Sequence, residues 1–449
     1  MSASLFRAGF WVSLLSLLTT TSGGPTKERH QSQAMKFLGL LLCVAFPVVR
    51  CHDISAGTPA GFLHTHGPIN GSPLKRRITS LQGRNNKVDP DEELLFITNH
   101  RMNVPDGEES VGQAASQPTS VSFDEKNNDA SGNVHFCESG TDDEHKEIFS
   151  EKFLARLRNS KAETILFSIH GFNVQPTDAL DETAKIQAQF NTMAAERGDD
   201  AGRVKVVGLI WPCGDKIGII RDYWDDRRRA YASVCGFERV LAKVLRADER
   251  MLTNQLPDPE TDLLMQKNVS IMAHSMGNRV LWQTLIRADE MYPIEGIFRD
   301  IFMVAADVPN NVLDEPSSIC MAADRVSVYY ASDDLPLTYS LGRIPSGWRQ
   351  RIGRLGPAKM DRVHKNVWEI DCSRFNNKLG GRLYGHGYHT PQVRLDDQDY
   401  PNPVLRHAWQ TMIDRQVDTM GKPEEARSLV LSLLYSQKKA GQQQFERGS

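Results

Sequence analysis

The segment that decides the fold is Asn268-Val-Ser-Ile-Met-Ala-His-Ser-Met-Gly-Asn-Arg-Val-Leu281. Its first residues are mostly apolar, as in a short buried strand, whereas after Ser275 apolar residues recur at helical spacing. The residues two places before and after this serine are Ala273 and Gly277, and a nucleophile elbow requires small residues there. The segment therefore predicts a nucleophilic Ser275. The alternative is a serine that only caps the following helix.

Length and composition limit the class of protein. The 449 residues carry a net charge of -3, so no field of one sign indicates a nucleic acid or an acidic partner. The length suits one α/β unit of roughly 250 residues or more with a less ordered extension. Five irregularly spaced cysteines follow the first 51 residues, and that pattern predicts no disulfide framework.

The amino-terminal part of the sequence has the features of an export leader. Its apolar runs, 10–18 and 37–49, each follow a basic residue and are shorter than the roughly 20 residues that a membrane-spanning helix needs. We interpret residues 1–51 as a leader with one or two signal-like segments, and we expect an exported or membrane-associated protein. Because Met35 opens the second run as a signal peptide would, a translation start at Met35 is a further hypothesis.

Composition also predicts where the folded domain lies. Residues 52–92 are rich in Gly, Pro, Asn and basic residues, which indicates a disordered linker. The domain is predicted to span residues 93–440, because a clear strand pattern covers 94–97. A second polar stretch, 106–133, is predicted to be a flexible loop within the domain. Apolar residues at helical spacing within 429–434 predict a helix near the carboxyl end.

Strand and helix patterns alternate along the middle of the chain. Helical stripes cover residues 177–197 and 223–247. Besides the strand before Ser275, apolar runs predict strands at 164–169, 204–210, 301–305, 326–330 and 367–370. This alternation predicts an α/β fold with a mostly parallel central sheet and helices on both faces. The functional site of such a sheet lies beyond the carboxyl ends of its strands.

A His-Gly turn follows the strand at 164–169. Besides the N–H of the residue after the nucleophile, an ester hydrolase needs a second backbone N–H to stabilise the oxyanion of the tetrahedral intermediate. We assign these two donors to the N–H groups of Phe172 and Met276, with His170 and Gly171 shaping the turn. The alternative is an ordinary turn in which the glycine supplies an unusual backbone angle.

Acidic residues and histidines follow the nucleophile in the order that a serine triad needs. Asp334 is our choice of acid, because it follows the later strand and its loop continues into a Leu-Pro-Leu run; Asp307 is the reserve. His386, between two glycines, is assigned as the base, with His389 second. Both could instead bind zinc with His364, although no carboxylate or cysteine completes a zinc signature.

Seven motifs occur in one order along the chain: Phe96-Ile97-Thr98-Asn99-His100-Arg101, His170-Gly171-Phe172-Asn173-Val174, Trp211-Pro212, Ala273-His274-Ser275-Met276-Gly277-Asn278, Ala306-Asp307-Val308, Ser332-Asp333-Asp334 and Gly385-His386-Gly387-Tyr388. The series resembles the esterase/lipase-superfamily proteins grouped as an α/β-hydrolase family of unknown function, over about residues 93–413. The resemblance implies an α/β-hydrolase fold in which Ser275, Asp334 and His386 match the family's triad.

Two features depart from the family pattern. Asp333 places a second carboxylate beside the assigned acid, so either carboxylate could serve. Residues 343–354 are arginine-rich. That segment is interpreted as a lid or a substrate-facing patch, or else as a solvated loop.

These residues together predict a serine-dependent ester hydrolase. Ser275 would attack an ester carbonyl, His386 would take its proton and Asp334 would orient the imidazole, a chemistry that needs no cofactor and no metal ion. The expected partner is a small-molecule acyl ester. A peptidase or thioesterase would use the same residues, and a catalytically silent, membrane-tethered binding or scaffold protein could retain the same fold.

Overall fold

The structure, a computed structural model, describes residues 93–103, 119–124, 127–140, 145–198, 200–214, 219–245, 262–340, 350–376, 385–389, 392–395, 398–414 and 427–431. The predicted leader (1–51), the start at Met35 and the linker (52–92) lie outside these residues. In the described part of the chain, no helix combines the length and the apolar character needed to cross a bilayer.

Strands dominate the centre of the domain. They are β1 (Leu95–His100), β2 (Met102–Asn103), β3 (Thr119–Phe123), β4 (Ala130–Ser139), β5 (His145–Ile148), β6 (Thr164–Ile169), β7 (Val204–Ile210), β8 (Asn268–His274), β9 (Phe298–Val304), β10 (Ala323–Tyr330), β11 (Val367–Asp371), β12 (Gln392–Leu395), β13 (Gln398–Pro401) and β14 (Ser428–Val430). All except β12 and β13, which form a separate antiparallel ribbon, belong to one sheet.

Helices connect these strands. They are α1 (Ser150–Asn159), α2 (Pro176–Arg197), α3 (Ile219–Leu245), α4 (Leu263–Gln266), α5 (Gly277–Asp289), α6 (Ser318–Met321), α7 (Leu335–Tyr339), α8 (Ile352–Leu355), α9 (Ser373–Asn376) and α10 (Pro403–Asp414). A 3₁₀ turn, Asp200–Gly202, precedes β7.

The main sheet is mostly parallel. Its strand order is β14-β11-β10-β9-β8-β6-β7-β1-β4-β5-β3-β2. Neighbours from β14 to β1 pair in parallel, whereas the pairs from β1 through β4, β5 and β3 to β2 are antiparallel. The carboxyl ends of the parallel strands therefore meet at one edge, where the site of such a sheet is expected.

Successive residues of the central strands enter two separate cores. On β6, Ile165 and Phe167 join the core formed with α3 and α5, whereas Leu166 joins the core formed with α2 and α10. Side chains alternate between the faces of a strand, so the sheet has helices packed on both faces. The strand is apolar almost throughout for this reason. The predicted α/β class with a mostly parallel sheet is confirmed.

The predicted flexible loop at 106–133 is wrong for part of its length. Residues 119–123 form β3, which pairs antiparallel with β5, and β4 begins at Ala130. Val121 is 1% exposed, and the serines and threonine around it satisfy their backbone groups in the sheet. The polar residues of β3 gave no strand pattern in the sequence, because only one of its five residues is buried. Residues 104–118 and 125–126 lie outside the described part of the chain.

The helix predicted within 429–434 is also wrong where it is described. Residues 428–430 form β14, which pairs in parallel with β11 at the edge of the sheet. The backbone of Ser428, Leu429 and Val430 adds to the ladder of β11, and such edge pairing overrides the weak helical spacing of four apolar residues. Residues 432–434 lie outside the described chain.

Candidate active site

The backbone of Ser275 forms the turn between β8 and α5. Its φ angle is 49°, in the left-handed region that costs a residue with a side chain roughly 1–2 kcal/mol. Two hydrogen bonds offset this cost: the Ser275 N–H donates to the Val304 carbonyl at 2.9 Å, and the Asp307 N–H donates to the Ser275 carbonyl at 3.0 Å. The helix after it begins with Met276 as N-cap and no side-chain cap, so the capping alternative for Ser275 is wrong.

Two neighbouring residues hold this turn. A Cβ atom at Gly277 would lie 2.5 Å from the His170 carbonyl oxygen, so only glycine lets the turn reach the end of β6. Asn278 is fully buried, and its Nδ2 donates to the Ala273 carbonyl at 2.7 Å and to the Ser275 carbonyl at 3.3 Å. The small residue predicted at position 277 therefore has a direct steric reason.

Three predicted side chains form a continuous hydrogen-bonded chain. His386 Nε2 lies 2.8 Å from Ser275 Oγ, and His386 Nδ1 lies 2.8 Å from Asp334 Oδ2. A carboxylate can only accept, so the proton of the neutral imidazole belongs on Nδ1, and Nε2 is left to accept from the serine hydroxyl. This is the tautomer that a general base requires.

The Asp334 carboxylate is fixed from both sides. It is fully buried, and its Oδ1 accepts a hydrogen bond from the Leu337 N–H at 3.1 Å, so it caps α7. Burial raises the pKa of Asp334, and the hydrogen bonds from His386 and Leu337 oppose that rise. The Leu-Pro-Leu run after the aspartate thus holds the carboxylate as the sequence suggested.

The other two candidate carboxylates contact different groups. Asp333 Oδ1 accepts from Asn376 Nδ2 at 2.9 Å. Asp307 Oδ2 accepts from the Tyr223 hydroxyl at 2.8 Å, and its Oδ1 pairs with Arg351 Nε at 2.7 Å. Of the three carboxylates, only Asp334 contacts His386.

The Asp307 pair also bears on the arginine-rich segment. Arg351, one of its members, is 8% exposed and forms a buried ion pair, so for this residue the interpretation as a solvated loop is wrong. Asp307 also acts on Tyr223. Burial and then the Asp307 charge raise the pKa of Tyr223 to about 12, so its hydroxyl stays protonated and donates to Asp307. Residues 341–349 lie outside the described chain.

His386 sits in a short segment, 385–389, that is bonded to the domain at several points. Gly385 has a φ angle of 78°, and a Cβ there would lie 2.8 Å from the Asp333 carbonyl oxygen. Asn376 Nδ2 donates to the Gly385 carbonyl at 2.6 Å. The hydroxyl of the fully buried Tyr388 donates to the Tyr329 carbonyl at 2.9 Å. The imidazole is therefore held in place rather than swung in from a distance.

The predicted oxyanion donors lie beside the serine. A Cβ at Gly171 would be 3.1 Å from Ser275 Cβ, so the His-Gly turn lies directly against the nucleophile. Among the described residues, neither the Phe172 nor the Met276 N–H has an acceptor. Unpaired backbone N–H groups next to a nucleophile are what stabilisation of an oxyanion requires. Their role stays a prediction.

The sequence of the chain matches one known family over most of the domain. The profile of a family described as alpha/beta hydrolase of unknown function (DUF900) matches residues 145–394, more than half of the chain. The chain belongs to this family. The α/β-hydrolase fold and the family implied by the motif series are thereby confirmed. No relative with a curated description matches the sequence of this hydrolase.

Two kinds of solved structure show a faint likeness to the hydrolase. Phospholipase PlaB from Legionella pneumophila, solved with thio-NAD, is 11% identical with a TM-score of 0.23, over 48% of this chain and 39% of that chain. The hydrolase thus spans about two-fifths of the phospholipase's length. Acetyl Xylan Esterase 1 from Thermoanaerobacterium sp. JW/SL YS485 is 13% identical with a TM-score of 0.21, over 62% of this chain and 73% of that chain.

In the hydrolase, His170 supports the turn and does not meet the nucleophile. Its ring stacks on Trp211 with a centroid separation of 5.4 Å, and its Nε2 accepts from the Trp211 N–H at 3.1 Å. Its Nδ1 lies 3.0 Å from the Gly171 carbonyl oxygen. Burial lowers the pKa of His170 to about 4, so the ring is neutral at physiological pH.

Asp226 on α3 is a site residue that the sequence did not reveal. It is fully buried and accepts from the Asn173 N–H at 3.2 Å, the Gly214 N–H at 3.0 Å and Arg229 at 3.0 Å. Asn173, with a φ of 56°, ends the predicted oxyanion turn. Burial raises the pKa of Asp226 to about 6.

A periodic signal could have found this aspartate. Asp222, Asp226, Ala230 and Ser233 recur at the spacing of one helical face, and each is at most 2% exposed. Asp225 lies off that face and pairs with the exposed Arg228. Polar residues on a buried helical stripe indicate bound partners, because a buried carboxylate without them is costly.

His389, the second choice for the base, does not contact Ser275. Its Nε2 lies 2.8 Å from Glu182 Oε1 on α2, and its ring stacks against His274. The zinc alternative is not assembled either: His364 is exposed and bonds Asn366 at 2.8 Å. In the part of the chain that the structure describes, no three His, Cys, Asp or Glu side chains form a group that could hold a metal ion.

Proposed function

We propose that this α/β hydrolase is a serine-dependent carboxylic-ester hydrolase that works through an acyl-enzyme on Ser275. The proposal rests on the pair of 2.8 Å hydrogen bonds that link Ser275 to His386 and His386 to Asp334. A serine hydroxyl is a weak nucleophile unless a base removes its proton, and the base must be held in the right tautomer. Ser275, His386 and Asp334 lie together at the carboxyl edge of the sheet.

Acylation is the first step. His386 Nε2 takes the proton of Ser275 Oγ as the oxygen attacks the ester carbonyl, and the resulting imidazolium is stabilised by the buried Asp334 carboxylate. The oxyanion of the tetrahedral intermediate accepts from the N–H groups of Phe172 and Met276. His386 then gives its proton to the departing alkoxide, and the alcohol leaves.

Deacylation repeats the chemistry with water. His386 removes a proton from water as its oxygen attacks the acyl-enzyme carbonyl, and the same N–H groups stabilise the second oxyanion. The proton then returns from His386 to Ser275 Oγ as the acid leaves. Asp334 stays ionised throughout, because its two hydrogen-bond donors favour the carboxylate.

The proposed substrate is a small acyl ester. Ester, thioester and peptide carbonyls all react by this route, and their discrimination depends on the pocket around the leaving group. An activated ester is the least demanding of them, so it is the substrate to test first. A peptidase or thioesterase remains the alternative within the same chemistry.

Labelling with a fluorophosphonate probe tests the proposal. The wild-type chain should be labelled at Ser275 and should hydrolyse a short-chain nitrophenyl ester, whereas Ser275→Ala should lose both activities. Ser318→Ala is the matched control, because that serine is partly exposed and its hydroxyl donates to the surface carboxylate of Asp289. Wild-type protein that is neither labelled nor active would instead favour the silent scaffold, and equal turnover by Ser275→Ala would refute Ser275 as the nucleophile.

A further inference from the structure

Three imidazole rings lie in a row behind the nucleophile. The ring centroid of His274 is 5.0 Å from that of His386 and 3.8 Å from that of His389. His274 Nε2 also lies 3.4 Å from the His386 carbonyl oxygen. The row ends at a carboxylate, because His389 Nε2 lies 2.8 Å from Glu182 Oε1. A second carboxylate–imidazole pair therefore adjoins the segment that carries the base.

The contacts of His389 identify its protonation state. The residue is 3% exposed, and its Nδ1 is buried with no partner among the described residues. An imidazolium carries two N–H donors, and burying one of them unpaired is costly. The neutral ring, with its proton on Nε2 and donated to Glu182, avoids that cost. His274 is neutral as well, because burial and then the neighbouring histidines hold its pKa well below the ordinary value.

Glu182 therefore brings a negative charge that its neighbours do not cancel. Burial alone would raise its pKa, but the hydrogen bond from His389 and the nearby His170 and Lys185 outweigh burial, so the pKa of Glu182 is lowered. Lys185, which is exposed, is itself paired with Asp181. The carboxylate is ionised at neutral pH.

We propose that Glu182 and His389 are positioning residues for the general base: they fix the segment 385–389 from α2 and place one negative charge behind the imidazolium that His386 becomes. The inference rests on the proposed function, in which that imidazolium forms in both steps. The groups facing His386 are then Asp334, Ser275 and the neutral His274, with Glu182 beyond them.

Distance sets the size of the expected effect. The separations of 5.0 and 3.8 Å between ring centroids and the 2.8 Å contact of His389 with Glu182 keep the carboxylate within roughly 13 Å of the His386 ring. At an effective dielectric constant of about 20, a charge roughly 10–13 Å away changes a pKa by roughly one unit. A carboxylate favours the protonated imidazole, so its removal lowers the pKa of His386.

The test is an NMR titration of the full chain with ¹⁵N-labelled histidine, in which His386→Gln identifies the His386 signals. In Glu182→Gln the pKa of His386 should fall by about one unit, and kcat for the nitrophenyl ester should fall about threefold to tenfold with KM nearly unchanged. Glu182→Asp keeps the charge, so it should keep the His386 pKa within about 0.2 unit even if the shorter side chain reduces kcat.

The experiment includes a matched control variant and a substitute for Glu182→Gln. Glu196→Gln removes a carboxylate from the same helix, where it pairs with Arg406 at 3.1 Å and is half exposed, and it should leave the His386 pKa unchanged. If Glu182→Gln does not fold, His389→Phe replaces it. That variant removes the hydrogen bond that joins segment 385–389 to α2, so kcat should fall as in Glu182→Gln with KM nearly unchanged.

The titration separates this inference from the proposed function. An unchanged His386 pKa in Glu182→Gln overturns the inference, whether or not the protein hydrolyses esters. Suppose the His386 pKa is lowered in Glu182→Gln, while the wild-type chain neither binds the fluorophosphonate nor hydrolyses the ester. That outcome supports the electrostatic role of Glu182 and refutes only the esterase proposal.

Discussion

At the scale of single residues, the selection of one carboxylate among three matters most. Asp333, Asp334 and Asp307 lie close together along the carboxyl edge, and each has its side chain occupied. Only Asp334 meets the imidazole, and its backbone position as the cap of α7 explains why. Asp333, one residue earlier, meets Asn376 instead. One residue along the chain therefore changes the partner completely.

Replacement of Asp334 by Asn should lower kcat by about a thousandfold or more. The amide would present a donor to His386 Nδ1 and favour the tautomer with the proton on Nε2, which cannot accept from Ser275. Asp307→Asn should cost about tenfold or less, because Asp307 contacts Tyr223 and Arg351 rather than the imidazole. Steady-state kinetics on the nitrophenyl ester compares the two, and a larger loss in Asp307→Asn would reverse the assignment.

At the scale of elements, the site depends on how β8, α5 and β6 approach one another. The first residue of α5 lies against the last residue of β6, and the gap between them has room for a hydrogen atom only. Protein interiors are close-packed, so a methyl group inserted there must move backbone on both sides. The turn that exposes the serine is therefore part of the packing of two elements.

Gly277→Ala should destabilise the domain by about 1–3 kcal/mol, since its Cβ would lie 2.5 Å from the His170 carbonyl oxygen. The displaced oxygen belongs to the turn that holds the oxyanion donors, so turnover should fall as well. Gly132→Ala is the control, because no atom lies within 4 Å of the added Cβ. Urea unfolding measures the difference, and equal stability of both variants would contradict the close approach.

Helix α3 supports the oxyanion turn through Asp226. Asp226→Ala removes the acceptor of the Asn173 and Gly214 N–H groups, so kcat should fall by roughly tenfold to a hundredfold while KM changes little. Asp225→Ala on the same helix removes a carboxylate that pairs with the exposed Arg228, and it should leave kcat near the wild-type value. Similar kinetics for the two variants would show that the turn keeps its shape without the buried carboxylate.

At the scale of the whole molecule, the sheet buries a carboxyl group that makes stability depend on pH. Asp300 on β9 is 3% exposed and accepts from Ser270 Oγ at 3.2 Å. Burial raises the pKa of Asp300 to about 6, although Arg299 and Arg325 oppose the rise. The folded chain thus binds this proton more tightly than the unfolded chain, and the folded state loses stability as pH rises from about 4 to about 6.

Asp300→Asn removes this dependence. Between pH 4 and pH 7, the free energy of unfolding of the variant relative to the wild type should increase by up to about 3 kcal/mol, the value that corresponds to a pKa raised from 3.8 to about 6. Urea unfolding at several pH values measures it. Asp361→Asn, at an exposed carboxylate outside the sheet, is the control. A pH-independent difference for Asp300→Asn would mean that Asp300 is ionised over the whole range.

The sequence predicts the central strands well because they are buried on both faces. β6 and β7 are mostly apolar, and five of the six residues of β6 and all seven of β7 are buried. β3 could not be predicted in this way, because only Val121 of its five residues is buried and its partner β5 lies beyond β4 in the chain. β14 is short, and its pairing with β11 is a tertiary contact.

The site shows the same division between local and distant information. The order of serine, aspartate and histidine along the chain predicted which side chains would meet, because strand ends of a parallel sheet converge. The link from Glu182 to His389 joins residues 207 positions apart, and no local pattern distinguishes this glutamate from Glu196, the other one on α2. Contacts that depend on how a helix rotates about its axis require the packed structure.

The tethering of Ser275 by Val304 and Asp307 has a consequence for the reaction cycle. The two peptide groups of the serine are hydrogen-bonded to Val304 at the end of β9 and to Asp307, three residues further on. Its Cα therefore cannot follow a moving substrate. Acylation and deacylation must then share one fixed point of bond formation. The movements that proton transfer requires are therefore made by the imidazole and by the incoming molecule, while the sheet holds the serine backbone in place.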